Sequence, residues 1–152
     1  MSTAELARAR GVARLAAVQA LYQMEQSGAT PAAMVDDFDS GKLPVDESDP
    51  STAEGDGDLF RVLVEGAVAQ QAVIDAAISR RLSEAWRLER IDAVARAILR
   101  AGVTELYARQ DIPTPVVIDE YVEIAKAFFG DGAETGFVNA ALDACAKDVR
   151  SG

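Results

Sequence analysis

The sequence predicts an all-α protein, and three observations lead to this fold class. Apolar residues recur at intervals of three and four along most of the 152-residue chain, as on one face of a helix. No segment shows the alternation of β-branched and polar residues that is typical of a strand. Glycines, prolines and capping residues divide the chain into pieces of helical length. With 49% hydrophobic residues, successive helices can pack as neighbours around a buried core.

The first predicted helix runs from about Thr3 to Ser27, and its apolar residues follow the three-to-four spacing. Gly28 is well placed to end it, since glycine readily adopts the left-handed conformation found after helices. Thr30 and Pro31 then begin a shorter helix that ends near Phe38, because a capping residue precedes proline at the first helical position.

Residues 39–57 are predicted to form one long acidic loop, rich in glycine and proline. Between Asp36 and Asp58 nine acidic residues face only Lys42, a net charge of -8 out of -10 for the whole chain. We expect a mobile insertion of variable length here rather than a working site. The spacing of a calcium-binding loop is absent, so no metal site is predicted.

After the loop, Asp58 is expected to cap one long helix with an apolar stripe over residues 60–78. A further helix carries the apolar stripe over residues 91–106. Ile112 is expected to be extended because it precedes a proline. Thr114 then caps a helix that runs to about Phe128. A break at residues 130–132 separates this helix from a last one, with apolar residues between 137 and 149.

The composition excludes most catalytic centres. The chain has no histidine and one cysteine, Cys145, so it holds no disulfide framework, Cys/His zinc site, Ser-His-Asp triad or Cys-His dyad. Cys145 lies on an apolar stripe and is expected to be a buried, inert thiol. We therefore expect no enzyme activity and no cofactor. No apolar run is long enough for a membrane span and no secretory signal is evident, so we expect a cytoplasmic protein.

Two places suggest nucleic-acid binding, although each also has an ordinary structural explanation. Among residues 1–24, Arg8, Arg10 and Arg14 face only one acidic residue. Arg10 and Arg14 are one helical turn apart and share a face, and arginine suits phosphate, but such residues also occur on ordinary helix surfaces. Phe128 and Phe129, adjacent at a helix end, cannot both point into the core, so one of them could stack on a base.

Short segments that cover nearly the whole chain outside the acidic loop occur in an order that resembles the NusB family of bacterial transcription antitermination factors. They are ARLAAVQALYQ at 13–23, ILRAG at 98–102, EL at 105–106, IP at 112–113, VIDE at 117–120, EIAKAF at 123–128, FVN at 137–139 and LD at 142–143. The paired phenylalanines resemble the variant of alphaproteobacterial members.

The resemblance implies a single domain over residues 1–152 made of two small helical bundles, one over about 1–80 and one over about 81–152. It implies binding to single-stranded boxA RNA of ribosomal RNA leader transcripts, together with the small-subunit ribosomal protein NusE. The complex with other Nus factors helps RNA polymerase to resist termination. A homodimer is compatible with the resemblance. The alternative is a helical protein–protein adaptor with no RNA role, favoured by the acidic balance.

The resemblance also assigns residues. Those expected at the RNA surface are Arg8, Arg10, Arg14, Lys126, Phe128 or Phe129, and Asn139. Those expected to contact the protein partner are Tyr22, Glu89 and Asp92. Many members carry consecutive arginines near the start, whereas this chain spaces three of them and places Gly11 between them. Fewer arginines neutralise fewer phosphates, so we expect a weaker salt dependence of RNA binding.

Overall fold

The structure, a computed structural model, describes residues 2–44, 55–82 and 87–150. Within these ranges the chain forms seven α-helices and one 3₁₀ turn, with no strand, which confirms the all-α prediction. The helices are α1 (Thr3–Ser27), α2 (Pro31–Asp39), α3 (Gly57–Ala69), α4 (Gln71–Ser79), α5 (Ala93–Ala108), α6 (Thr114–Phe129) and α7 (Ala133–Val149), and the 3₁₀ turn is Leu88–Arg90.

The ends of the first two helices follow the local signals in the sequence. Gly28 has φ 75° and its N–H donates to the carbonyl of Met24, so it ends α1 in the left-handed conformation. The hydroxyl of Thr30 accepts a hydrogen bond from the N–H of Ala33 and thereby caps α2, with Pro31 as its first residue. Both predicted boundaries are confirmed.

The acidic loop expected over residues 39–57 is shorter in the described structure than predicted. Asp39 is the last residue of α2 and Gly57 is the first residue of α3. Residues 45–54 of the expected loop lie outside the described residues. The cap of α3 is Asp56, whose carboxylate accepts from the N–H of Leu59 at 3.0 Å, so the prediction that Asp58 caps this helix is wrong by two residues.

The single long helix predicted after the loop is two helices. α3 ends at Ala69, Gln70 leaves the helical conformation with φ -112° and ψ 25°, and α4 continues at an angle of 81°. The apolar spacing continues through the bend because each helix buries one face, so spacing alone did not reveal the break. The bend directs Ile74 and Ile78 of α4 into the core shared with α5, α6 and α7.

The start of α6 also differs from the prediction. Pro113 is extended, with φ -60° and ψ 142°, and the helix begins at Thr114. Thr114 does not cap it: its hydroxyl accepts a hydrogen bond from Arg150 Nη1 at 3.0 Å. The same guanidinium donates to the carbonyls of Leu106, Arg109 and Ile112, so the end of the chain secures the connection between α5 and α6.

Buried apolar side chains form two clusters that share α1. One cluster lies among α1, α2 and α3 and includes Ala13, Met34 and Phe60. The larger cluster is built mainly by α4 to α7 and takes Val18 and Leu21 from α1. α1 is therefore packed from both sides.

In the described ranges, no single helix is long and apolar enough to cross a membrane. α3 and α4 meet the length and composition test only when taken together across their 81° bend.

Substitutions of two glycines test how tightly α5 and α7 pack. A Cβ at Gly102 would lie 2.8 Å from Cδ2 of Leu142, which is fully buried, so we expect Gly102→Ala to lower the free energy of unfolding by about 1–3 kcal/mol. Gly136 in α7 has open space around the same position, so Gly136→Ala should raise it by up to about 1 kcal/mol through helix propensity. Urea unfolding measures both. Equal effects of the two changes would contradict the packing described for Gly102.

Candidate functional site

α1 and α6 lie side by side and run in the same direction. Near the middle of both helices Arg14 lies 3.8 Å from Glu120, and near their ends Tyr22 and Phe128 line one groove. The groove is open and holds about 510 Å³. Its walls are mainly apolar, with amide side chains at the edge; they comprise Val18, Gln19, Tyr22, Gln23, Gln26, Ser27, Val94 and Phe128.

Two aromatic side chains are exposed in this groove. Tyr22 is 40% exposed and Phe128 is 47% exposed, both high values for large apolar groups. Phe129 is partly buried and packs against the larger core cluster. Of the two adjacent phenylalanines, Phe128 is therefore the one available to a ligand. Phe129, which the sequence left as an equal candidate, serves the core.

Lys126 lies exposed near the end of α6, and Asn139 lies exposed in the first half of α7. Lys126 Nζ is 3.3 Å from a carboxylate oxygen of Glu123, one turn earlier on the surface of α6. An exposed pair of this kind is worth at most about 1 kcal/mol, so the lysine can exchange its partner for a phosphate at little cost.

Arg14 lies in the core instead of on the surface. It is 1% exposed, and its Nε and Nη2 donate to both oxygens of Glu105 at 2.8–3.1 Å. Glu105 is fully buried and also accepts from the hydroxyl of Tyr121 at 2.8 Å. This buried cluster of Arg14, Glu105 and Tyr121 joins α1, α5 and α6, and each charge is compensated by hydrogen bonds.

The protonation states agree with this arrangement. Burial alone would lower the pKa of Arg14, but the hydrogen bonds and negative charge of Glu105 outweigh it, so its pKa is raised and it stays charged. Burial, followed by the charge of Glu105, raises the pKa of Tyr121 well above its ordinary value. Tyr121 therefore stays protonated and can donate to Glu105.

The position of Arg14 corrects one expectation from the sequence. Arg10 and Arg14 were expected to present one open face to RNA, but in the structure that face packs toward α5 and α6. A guanidinium that is 1% exposed and bonded to Glu105 cannot reach a phosphate. We therefore remove Arg14 from the proposed RNA surface. Glu105 beside the apolar stripe of α5 was the signal for a buried ion pair, since an acid there needs a cation.

The other two arginines of the first helix remain accessible to different degrees. Arg8 is exposed. Arg10 is partly buried, and its Nε has no hydrogen-bond partner within the described part of the chain. Asp111 is close by: the bidentate hydrogen bonds from Arg109 lower its pKa to about 2, with a further contribution from the charge of Arg10. The start of α1 therefore offers two cations beside an ion pair.

The residues expected at the protein-partner face lie around neighbouring grooves. Asp92 is exposed and its carboxylate caps α5 by accepting from the N–H groups of Val94 and Ala95. Val94 shares the first groove with Tyr22. Glu89, exposed in the 3₁₀ turn, lines a second groove.

The second groove contains an ionic network that sequence analysis missed. Glu25 of α1 accepts from Arg96 and Arg100 of α5, and Arg100 also pairs with Asp75 of α4. Glu25, Asp75 and the two arginines come from three separate parts of the chain, and only Arg100, in ILRAG, belongs to a segment identified from the sequence. Nothing in the local pattern could have revealed the network.

The described residues hold no group of three or more acidic, histidine or cysteine side chains arranged to bind a metal ion. Cys145 is buried in the core, and burial raises the pKa of its thiol to about 11, so it is protonated at neutral pH. The groove between α1 and α6, open and mainly apolar with two exposed aromatic side chains, has the character of a binding surface.

Comparison with known proteins agrees with this character. The NusB family model matches residues 12–147. The transcription antitermination protein NusB of Caulobacter vibrioides is 55% identical over 93% of this chain and 94% of its own. The NusB protein of Maricaulis maris is 50% identical over 95% of this chain and 89% of its own. Among solved structures, T. maritima NusB superposes with a TM-score of 0.71 at 33% identity, covering 91% of both chains. A crystal structure of antitermination factors NusB and NusE in complex with dsRNA superposes with a TM-score of 0.75 at 26% identity, covering 93% of this chain and 98% of the other.

The buried cluster predicts a large difference between two identical substitutions. Glu105→Gln removes the buried counter-charge of Arg14 and leaves only the exposed carboxylate of Glu120, 3.8 Å away, so the free energy of unfolding should fall by about 3–5 kcal/mol. Glu123→Gln removes an exposed partner of Lys126 and should cost less than about 1 kcal/mol. Both are measured by urea unfolding. A loss for Glu105→Gln as small as that for Glu123→Gln would show that the buried ion pair is dispensable.

Proposed function

This chain belongs to the NusB family of transcription antitermination proteins, and on that premise we propose that it binds single-stranded boxA RNA together with the ribosomal protein NusE. In this proposal it acts in the cytoplasm, with other Nus factors, to help RNA polymerase to continue through ribosomal RNA leader sequences. The relatives are transcription factors, which confirms the expectation that the chain is not an enzyme.

The observation that carries the proposal is the exposure of Phe128 at the end of α6. Its ring is 47% exposed and lies across a groove from Tyr22. Proteins recognise single-stranded RNA largely by stacking unpaired bases on such rings. Lys126 is exposed two residues before Phe128, and Asn139 is exposed on α7, which packs against α6, so they can contact a phosphate and a base edge respectively. We propose that these three residues contact the same few nucleotides.

Arg8 and Arg10 extend the proposed RNA surface toward the start of α1. Since a helix rises 1.5 Å per residue, Arg10 lies about 18 Å along α1 from Tyr22, so one strand of RNA can reach both ends. The overall charge of -10 does not prevent this, because -8 of it lies between Asp36 and Asp58. Phosphate contacts by the arginines set the position of the strand, and the stacked base sets sequence preference.

The protein partner is proposed to bind beside the RNA. Tyr22 and Val94 share the groove with Phe128, and Asp92 and Glu89 follow toward the second groove. An RNA strand on Phe128 and a protein on Tyr22 would therefore touch opposite walls of one groove. The two partners would then each raise the affinity of the other. The solved complex of NusB and NusE contains dsRNA, which supports placing both partners on this fold.

The adaptor without an RNA role is the less favoured alternative. It accounts for the excess of acidic residues and for the exposed apolar side chains. The relatives of this chain, however, are antitermination proteins. It predicts no measurable difference between boxA RNA and a scrambled sequence.

Phe128→Ala tests the stacking contact. Stacking of one base contributes about 1–3 kcal/mol, so we expect boxA affinity to fall about 5- to 150-fold and the preference over scrambled RNA to narrow. The matched control is Tyr107→Ala, since Tyr107 is also an exposed aromatic residue, 38% exposed, but lines a different groove. Fluorescence anisotropy with labelled RNA measures both. If the folded Phe128→Ala variant prefers boxA RNA over scrambled RNA as strongly as the natural chain does, Phe128 does not stack on a base.

Arg8 and Arg10 are tested by salt dependence. Replacing both with Ala should weaken all RNAs alike and flatten the slope of log K against log salt by about 1.4, since each lost phosphate contact to a single strand accounts for about 0.7. The control, Arg61→Ala with Arg80→Ala, removes the same charge from exposed sites on α3 and at the end of α4. If the two double variants change the slope equally, the effect is one of net charge and these arginines are not contacts.

A further inference from the structure

The proposed protein-partner face is assembled from two separate parts of the chain. Tyr22 lies on α1. Glu89 and Asp92 lie in the segment 87–92, which contains the 3₁₀ turn and leads into α5. A partner that contacts both parts requires them to be held in one relative position.

A single side chain, Arg96 of α5, bonds to both parts. Its Nη1 donates to the carbonyls of Leu88 and Ile91, at 2.9 Å each, which lie at the two ends of the turn. Its Nε donates to Oε2 of Glu25 on α1 at 2.8 Å, and its Nη2 donates to the other carboxylate oxygen. The guanidinium is 12% exposed, so these bonds are largely shielded from water.

A second arginine holds the acceptor of this link in place. Arg100, one turn further along α5, donates from Nη1 to Glu25 at 2.9 Å. It also forms a bidentate pair with Asp75 of α4 at 2.9 and 3.0 Å. The hydrogen bond from Arg96, above all, lowers the pKa of Glu25, and those from Arg100 add to it. Glu25 therefore stays ionised at neutral pH and can accept from both arginines.

The remaining hydrogen bonds of residues 87–92 are local. The N–H groups of Arg90 and Ile91 donate to the carbonyl of Arg87, and Asp92 caps α5. Leu88 and Ile91 are buried in the larger core cluster, which anchors the segment through apolar contact. Hydrogen bonds are directional, so those from Arg96 add a defined orientation to the position that the apolar contacts give the turn.

We propose that Arg96 is a positioning residue for the protein-partner face: it fixes residues 87–92, and with them Glu89 and Asp92, relative to Tyr22 on α1. The inference rests on the proposed function, because it concerns how the NusE-binding surface is organised. It requires arginine at this position, since the planar guanidinium reaches two carbonyls and a carboxylate at once.

The test uses Arg96→Met, which keeps most of the apolar stem and removes every donor. We expect its affinity for purified NusE to fall about tenfold, while its affinity for boxA RNA alone changes less than about twofold. Amide hydrogen exchange of Arg90 and Ile91 should become faster, and exchange in α3 and α7 should not change. The control, Arg81→Met, removes the exposed pair of Arg81 with Asp148 and should leave NusE affinity unchanged.

Arg96→Lys separates positioning from charge. Lysine keeps the positive charge opposite Glu25 but has no planar fork that spans the carbonyls of Leu88 and Ile91. We expect exchange of the turn to stay fast and NusE affinity to stay reduced. Recovery of both by lysine would overturn the positioning role in favour of a simple charge effect.

NusE binding by the natural chain and by Arg96→Met distinguishes a failure of the positioning role from a failure of the proposed function. If the natural chain does not bind NusE, the proposed function fails and the inference fails with it. If the natural chain binds NusE and folded Arg96→Met binds equally well, only the positioning role is overturned. Equal losses for RNA and NusE would indicate general destabilisation and would also overturn it.

Discussion

The ion pair between Arg14 and Glu105, completed by the hydroxyl of Tyr121, is the interaction on which the candidate site depends. It places a guanidinium and a carboxylate where neither can reach water, so each is tolerated only while the other stays in position. The three residues belong to α1, α5 and α6. Because α1 and α6 form the walls of the exposed groove, this buried pair fixes the separation of the two walls.

A second consequence concerns how charge is distributed along α1. Its first turns carry Arg8 and Arg10 near the surface, its middle uses Arg14 internally, and its last turns present Tyr22 and Glu25. One helix therefore connects the proposed RNA surface, the buried cluster and the proposed protein-partner face. Two apolar clusters pack against α1 and hold it in place within the fold. In this proposal an RNA strand that follows α1 and a protein partner at its last turns thus meet a preorganised surface, which lowers the entropic cost of assembly.

Local chemistry predicted the class and many boundaries of the fold. Gly28 and Thr30 act through their own backbone and neighbouring N–H groups, so the sequence around them was sufficient. The bend at Gln70 was missed because it contains neither glycine nor proline and depends on where α5 and α7 allow α4 to pack. Tertiary packing decided that boundary, and no periodic pattern records it.

The same distinction applies to the site. The adjacency of Phe128 and Phe129 predicted that one ring is exposed, but only the packing of α6 decides which. The helical face of Arg10 and Arg14 was identified correctly, whereas its burial depended on Glu105, 91 residues away from Arg14. The grouping of Tyr22 with Phe128 in one groove likewise follows from the parallel arrangement of α1 and α6.

A double-mutant cycle on Arg14 and Glu105, followed by urea unfolding, measures how strongly the two buried side chains depend on each other. The single changes Arg14→Met and Glu105→Met each leave one buried charge without its buried partner, whereas the double change leaves neither charge. If the ion pair holds α1 in place, we expect the double variant to be more stable than the sum of the two single losses implies, by at least about 2 kcal/mol. Additivity within about 0.5 kcal/mol would contradict it, because it would mean that the two residues act independently and that the ion pair does not hold α1 against α5 and α6.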